Sequence, residues 1–381
     1  MKMFTKFVIV LFLFLPAAAQ AVNPPCRTFP PAKSEVKALM DKVAGWQTGN
    51  FTYSTTHNSH DNGIDSWTNA TLYTGISEWA KISGDSVLYQ WLINIGDTNT
   101  WAMPSNFARY PKYQLYHADE LCMGQFYLRM FDVYGEQKML RAVKERVEWI
   151  MTHPGDTTMN ISNKQSWTWC DALFMASPVY AHLAKIETDN KYLCFMDREF
   201  KRTWSFLYDK ENKLFFRDSS YFGKKEANGK KIFWGRGNGW VAAALVNLLK
   251  LLPGDSVYKP FYDDLFREFV PRLAELQNPD GFWHASLLDP ENYPFPETSA
   301  TALIAYALAY GINQELLDKE EYLPVLEKTW RALVSAVNED GKLGWVQPIG
   351  ADPQKVTADM TAHYGVGAFL LAGSEIYRMQ H

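Results

Sequence analysis

Amphipathic helices follow one another along nearly the whole chain, and the way they are joined leaves few possible folds. Apolar residues recur at i, i+3, i+4 and i+7 over 34–47, 65–83, 86–97, 117–135, 138–152, 169–187, 190–208, 237–252, 257–276, 296–311, 319–337 and 360–378. Short turns at Ser83-Gly84-Asp85, Tyr134-Gly135-Glu136, Thr188-Asp189-Asn190 and Pro253-Gly254-Asp255 each stop one helix and cap the next. They alternate with longer, aromatic-rich connections at 48–64, 98–116, 153–168, 209–236, 277–295 and 338–359. Short links make antiparallel hairpins, so the long ones must emerge together at one end. Six hairpins closed into a ring predict an all-α (α/α)6 barrel whose inner-helix N-termini and long connections share one mouth. A superhelical array of helix pairs would carry a fixed sequence repeat, and none is present. Asp209 to Lys231 alternates weakly, enough for a small β-hairpin.

The N-terminus reads as a secretory leader. Lys2 and Lys6 precede the apolar run Phe7 to Leu15, and Pro16 to Ala21 supplies small residues for cleavage after Ala21. No later stretch approaches the roughly 20 apolar residues of a membrane span. The expectation is a leader over 1–21 and a single catalytic domain over 22–381, soluble and exported to a periplasm. Cys26, Cys122, Cys170 and Cys194 form no C-x-x-C pair, which argues against structural zinc and dithiol chemistry and leaves any disulfide pairing open. A formal net charge of −4 gives no basic footprint for nucleic acid. With 14 Trp and 20 Tyr the chain is well supplied with rings that stack on sugars, though a large core also consumes them.

Two segments concentrate chemistry at helix starts. Trp234-Gly235-Arg236-Gly237-Asn238-Gly239-Trp240 places indoles, a guanidinium and an amide among glycines, whose freedom lets the backbone pass close to another group. Indoles stack on sugar rings and Arg presents a planar fork to a carboxylate, so an acidic sugar suits this combination. Trp167-Thr168-Trp169-Cys170-Asp171 sets a carboxylate between indoles, with Met175 one turn on. Burial against indoles raises a carboxyl pKa, as a general acid needs, while the helix N-terminus opposes that shift. Asp119, two residues past His117, stands at the start of another inner helix and would face Asp171, although simple capping would also explain either aspartate. Glu120 reads as ordinary first-turn charge. His57, Asn58, His60 and Asp61 lie in a polar loop without helical His-x-x-x-His spacing and read as pocket lining rather than a metal site. Asp65, Trp67 and Asn69 open the next helix from that loop. The glycine run lacks the Lys-Ser/Thr of a P-loop, which argues against nucleotide binding. No cofactor is implied.

Together, His117-Ala118-Asp119, Trp169-Cys170-Asp171 with Met175, the Trp234–Trp240 segment, Pro296-Glu297-Thr298-Ser299 and the tail His363 to Gly373 resemble glycoside hydrolase family 105. These are the unsaturated rhamnogalacturonyl hydrolases, with the family 88 unsaturated glucuronyl hydrolases as relatives. The resemblance implies the (α/α)6 fold and a substrate left by polysaccharide lyases, an oligosaccharide ending in an uronic acid with a C4=C5 double bond. It implies that Asp171 protonates C4 and helps activate the water adding at C5, with Asp119 positioning water or sugar hydroxyls. Arg236 would bind the uronate carboxylate, Trp169, Trp234 and Trp240 would form apolar walls, and His117, Met175 and Asn69 would line the sugar site. One departure stands out: Leu214-Phe215-Phe216-Arg217-Asp218 carries Arg217 where many members have a His, which bears on sugar preference or leaving-group contacts. The alternatives are an unsaturated glucuronyl hydrolase on another glycan, an ordinary hydrolase or epimerase on the same barrel, and a glycan-binding protein that turns nothing over. Oligomeric state is not readable from the sequence.

Overall fold

A computed structural model describes residues 29–54, 63–104 and 115–379. The leader and His57, Asn58, His60 and Asp61 lie outside the described residues. Among those described there are twelve α-helices: α1 Lys33–Gly49, α2 Trp67–Ser83, α3 Ser86–Thr98, α4 Ala118–Tyr134, α5 Gln137–Thr152, α6 Ala172–Glu187, α7 Asn190–Leu207, α8 Gly235–Leu251, α9 Lys259–Glu275, α10 Thr298–Asn313, α11 Lys319–Ser335 and α12 His363–Arg378. Each expected helix is present, with its ends moved by a few residues. The even-numbered helices pack in a ring, each on the next, with α12 returning to α2. Helices α3, α5, α7, α9 and α11 lie outside, each against the inner helix before it, and α1 covers α12. This is the (α/α)6 barrel.

Sequence decides which helix goes inside. Helix α10 is small and apolar all round, and Thr298 to Ile312 are all buried. Helix α5 buries only the stripe Met139, Leu140, Val143, Val147 and Ile150, and its charged face meets water. The ring closes where α2 meets α12, and two glycines make that closure possible. A Cβ on Gly75 would lie 2.3 Å from Gly367 O, and one on Gly367 would lie 2.3 Å from Thr71 O.

The expected hairpin is present but short: Tyr208–Asp209 (β1) pairs antiparallel with Leu214–Phe215 (β2). All six inner helices begin at the mouth. At the opposite end, buried Glu78 of α2 takes Arg129 Nη1 of α4 and Arg378 Nη2 of α12, each at 2.5 Å, while Lys250 of α8 approaches to 3.6 Å. That network ties four inner helices together, far from the mouth. No helix among the described residues is long and apolar enough to cross a membrane.

Candidate active site

Asp171 occupies the N-cap position of α6, yet its side chain caps nothing. Its backbone is helical (φ −62°, ψ −27°), which carries the carboxylate away from the helix's free N–H groups. Simple capping therefore does not account for this residue. Instead the Cys170 thiol donates to Asp171 Oδ1 at 3.2 Å, and the residue is 8% exposed. Burial holds its pKa above the usual carboxylate value against the pull of Arg217 and Cys170, and the charge on Asp119 adds to the rise.

Asp119 lies in the first turn of α4, which is capped by His117: the Asp119 N–H donates to His117 Nδ1 at 3.2 Å. Its side chain retains 28% of its exposure. Burial lifts the carboxyl to about 6, although Lys164, Arg217 and a hydrogen bond from Trp169 favour the anion. The His117 ring lies 5.0 Å from that of Trp169, so one indole touches both the His117–Asp119 turn and the Asp171 segment. Glu120, beside them, is pushed up to about 8 by burial and by its acidic neighbours Asp65 and Asp119.

Arg217 joins the pair through the strand that precedes it. Cys170 N–H donates to Arg217 O at 2.9 Å, and Trp169 bridges Asp218. The guanidinium donates through Nη1 to Asp218 Oδ2 at 2.7 Å, while its buried Nε has no partner among the described residues. Burial works against its charge, but Asp171 and Asp218 outweigh that and keep it cationic.

The glycine-rich segment plays a different part from the one its composition suggests. Helix α8 already begins at Gly235, and none of its three glycines has a positive φ. They are needed for space: a Cβ on Gly237 would sit 3.1 Å from Cys170 Sγ and 3.5 Å from Asp171 Oδ1. Arg236 is 1% exposed and donates from Nη1 to Gln347 O at 2.6 Å and from Nη2 to Pro348 O at 2.8 Å. Its fork thus holds the 345–348 segment, and the expectation that it presents this fork to a ligand is revised on that ground. Trp234 donates to Gln347 Oε1 at 3.2 Å, and Glu297 accepts from Gln347 N–H at 3.0 Å while capping α10. The Pro296–Ser299 motif is therefore a cap and a brace.

Trp169, Trp234 and Trp240 are at most 2% exposed, so they underlie the mouth more than they face it. Trp67, next to them, is only half-buried, stacked on Tyr364 at 5.1 Å and edge-on to Trp240 at 6.1 Å. Met175 is buried beneath Asp171 on α6, and Asn69 is fully buried, donating to Gly63 O at 2.7 Å and lying 2.5 Å from His363 Nδ1. Lys164, which no sequence pattern singled out, stands over Trp169 with Nζ 4.4 Å from the ring centre. The described cysteines, Cys122, Cys170 and Cys194, are free thiols. Among the described residues no group of three or more His, Cys, Asp or Glu is placed to hold a metal.

Two carboxyls that feel each other's charge, set among indoles at the mouth of a ring of helices, define the class: a glycosidase built on a helical barrel. The chain belongs to glycosyl hydrolase family 88, whose family model matches residues 39–380. It is 37% identical over 364 residues to an unsaturated 3S-rhamnoglycuronyl hydrolase of Formosa agariphila, covering 91% of this chain and 92% of that one. Among solved structures it resembles a family 88 glycosyl hydrolase from Bacteroides vulgatus, with 32% identity and a TM-score of 0.81 over 91% of this chain and 99% of the other. A second, named a polysaccharide lyase, has 33% identity and a TM-score of 0.81 over 91% of this chain and 98% of the other.

Proposed function

We propose that the protein removes an unsaturated uronic acid from the end of a lyase-generated oligosaccharide by hydrating its C4=C5 bond. Asp171 carries the reading: a buried carboxyl, raised in pKa, feeling the charge of Asp119 and engaged in no cap. In the protonated form it delivers its proton to C4 of the enol ether, leaving positive charge at C5 that the ring oxygen shares. Water adds its oxygen to C5 and returns a proton to the Asp171 carboxylate, so one carboxyl serves as acid and then base. The product is a C5 hemiketal, which opens and expels the remaining sugar from C1. Asp119 orients the water or the sugar hydroxyls. Arg217, whose charge lies in the field of Asp171, is the guanidinium that faces the uronate carboxylate, since the Arg236 fork is taken by Gln347 O and Pro348 O. Trp67 offers the stacking surface, over a floor of Trp169, Trp234 and Trp240, and His117, Asn69 and Met175 shape the pocket from below.

The Formosa relative's name supports rhamnose as the sugar released, with galacturonic and glucuronic parents both to be tested. Residues 1–21 support export to a periplasm. The test follows the ultraviolet absorbance of the conjugated uronate, with rhamnose-linked unsaturated oligosaccharides of both parents. Loss of absorbance that disappears in Asp171→Asn, while calorimetry still detects binding, is the expected result. Rising absorbance on intact polysaccharide would mark a lyase, and binding without any change would mark a glycan-binding protein.

A further inference from the structure

Pro178 sits inside α6. A proline there has no N–H to give the carbonyl one turn back, and its ring presses on that carbonyl. The carbonyl concerned is Phe174 O, and the Phe174 N–H donates to Asp171 O at 3.0 Å. The Phe174 ring also packs against Trp240 at 4.7 Å. Phe174 therefore fixes the backbone of Asp171, yet it lies where the helical ladder is broken. The missing bond comes from another helix. Gln125 of α4, 2% exposed, donates from Nε2 to Phe174 O at 2.7 Å. Gln125 Oε1 accepts from Asn247 Nδ2 of α8 at 3.2 Å, and Asn247 Oδ1 accepts from the Tyr306 hydroxyl of α10 at 2.9 Å. The Tyr306 oxygen in turn accepts from Lys250 Nζ at 3.0 Å. Lys250 is held by Glu375 of α12 and approached by Glu78 of α2, so one row of polar contacts touches all six inner helices. Its direction is fixed at both ends, because an ammonium can only donate and a carbonyl can only accept. Gln125 cannot turn its amide round without losing two bonds. Satisfying a buried Asn and Tyr would explain the row by itself. It would not explain why the row ends on the one carbonyl that Pro178 has freed, in the turn that Asp171 opens.

We propose that Gln125 is a positioning residue for Asp171: in place of the bond that Pro178 denies, it holds the first turn of α6 so that the carboxyl is aimed at the substrate. This rests on the reading of Asp171 as the acid. An unbroken helix would fix that turn through its own ladder. Here proline loosens the helix, and a side chain from α4 takes up the slack. The aim of the acid is thereby tied to the packing of the whole ring, rather than to α6 alone.

Pro178 also supplies the test. Gln125→Met keeps the volume and loses both amide groups. It should lower kcat about tenfold or more with KM within about twofold, since binding draws on Arg217 and Trp67, which α6 does not carry. Pro178→Ala returns an N–H to Phe174 O from within α6. Alone it should leave kcat within about twofold of wild type, and combined with Gln125→Met it should recover most of what was lost. General damage to the core would not be mended by removing a proline. Tyr306→Phe loses only a hydroxyl two steps along the row and should lower kcat about threefold, again relieved by Pro178→Ala. It takes the place of Gln125→Met where that variant does not fold. An unchanged kcat in the folded variant overturns the proposal, as does a loss that Pro178→Ala fails to relieve. An equal loss in Pro178→Ala alone overturns it too, placing the effect in the proline. If the wild-type enzyme leaves every unsaturated oligosaccharide intact, the hydrolase reading fails instead, and hydrogen exchange decides the coupling. The Phe174 and Met175 amides both donate to Asp171 O. They should exchange at least about tenfold faster in Gln125→Met and slow again in the double variant. Exchange unaltered from wild type rejects the coupling.

Discussion

Asn238 holds Phe215 by both of its backbone groups: Oδ1 accepts from Phe215 N–H at 2.8 Å, and Nδ2 donates to Phe215 O at 3.0 Å. The amide at the heart of the glycine-rich segment thus fixes β2, and two residues on lies Arg217 beside Asp171. Asn238→Ala leaves two buried backbone groups unpaired and lets that strand drift. Destabilisation of about 1–3 kcal/mol per unpaired group is expected, with kcat/KM of the folded enzyme falling at least about tenfold as Arg217 loses its place. Thermal melts with steady-state kinetics check both; unaltered kinetics would detach the clamp from the site.

Asp119 and Glu120, lifted to about 6 and about 8, bind protons more tightly folded than unfolded. Their contribution to stability is therefore full below the unfolded value near 4 and is lost as pH rises through about 6 for Asp119 and about 8 for Glu120. Glu120→Gln removes the second of these declines. Relative to wild type it should gain about 4 kcal/mol between pH 5 and pH 9, measured by urea unfolding at both. If hydration needs Asp119 as a carboxylate, kcat/KM should rise with pH through about 6, and this acid limb should vanish in Asp119→Asn.

Glu78 bears the charge of Arg129, Arg378 and Lys250 at the closed end of the barrel. Glu78→Gln leaves Arg129 without its carboxylate, while Glu375 still holds Lys250 and Arg378, and should cost about 3 kcal/mol. The folded fraction should keep its kcat/KM, because the carboxylate lies at the end away from Asp171. Denaturant titration and kinetics on one preparation separate the two effects.

Gly367→Ala brings a methyl to 2.3 Å from Thr71 O, a backbone atom with nowhere to go. The α2–α12 seam must open, so a loss of about 3 kcal/mol or more is expected, beyond ordinary overpacking. An alanine enzyme as stable as wild type would show that the seam is looser than its geometry implies.

The helices, their order and the barrel itself were legible in the chain because each follows from local facts: apolar spacing, capping residues, and links too short for anything but a hairpin. Asp171 and Asp119 were legible for a similar reason, since each sits where a long connection meets an inner helix. Roles were harder to read. Arg236, Trp234 and Trp240 carry the residue types of a sugar site, but distant partners claim them: Gln347 and Pro348 take the Arg236 fork, and packing buries both indoles. Asn238 and Gly237 were read as part of a glycine-rich helix start suited to a sugar and proved to be a clamp and a space-maker, because β2 and Cys170 arrive from elsewhere in the chain. Lys164 had no pattern to mark it. Periodicity and capping act over a few residues and so are written along the chain, whereas the use of a guanidinium, an indole or an ammonium depends on what the closed ring brings against it.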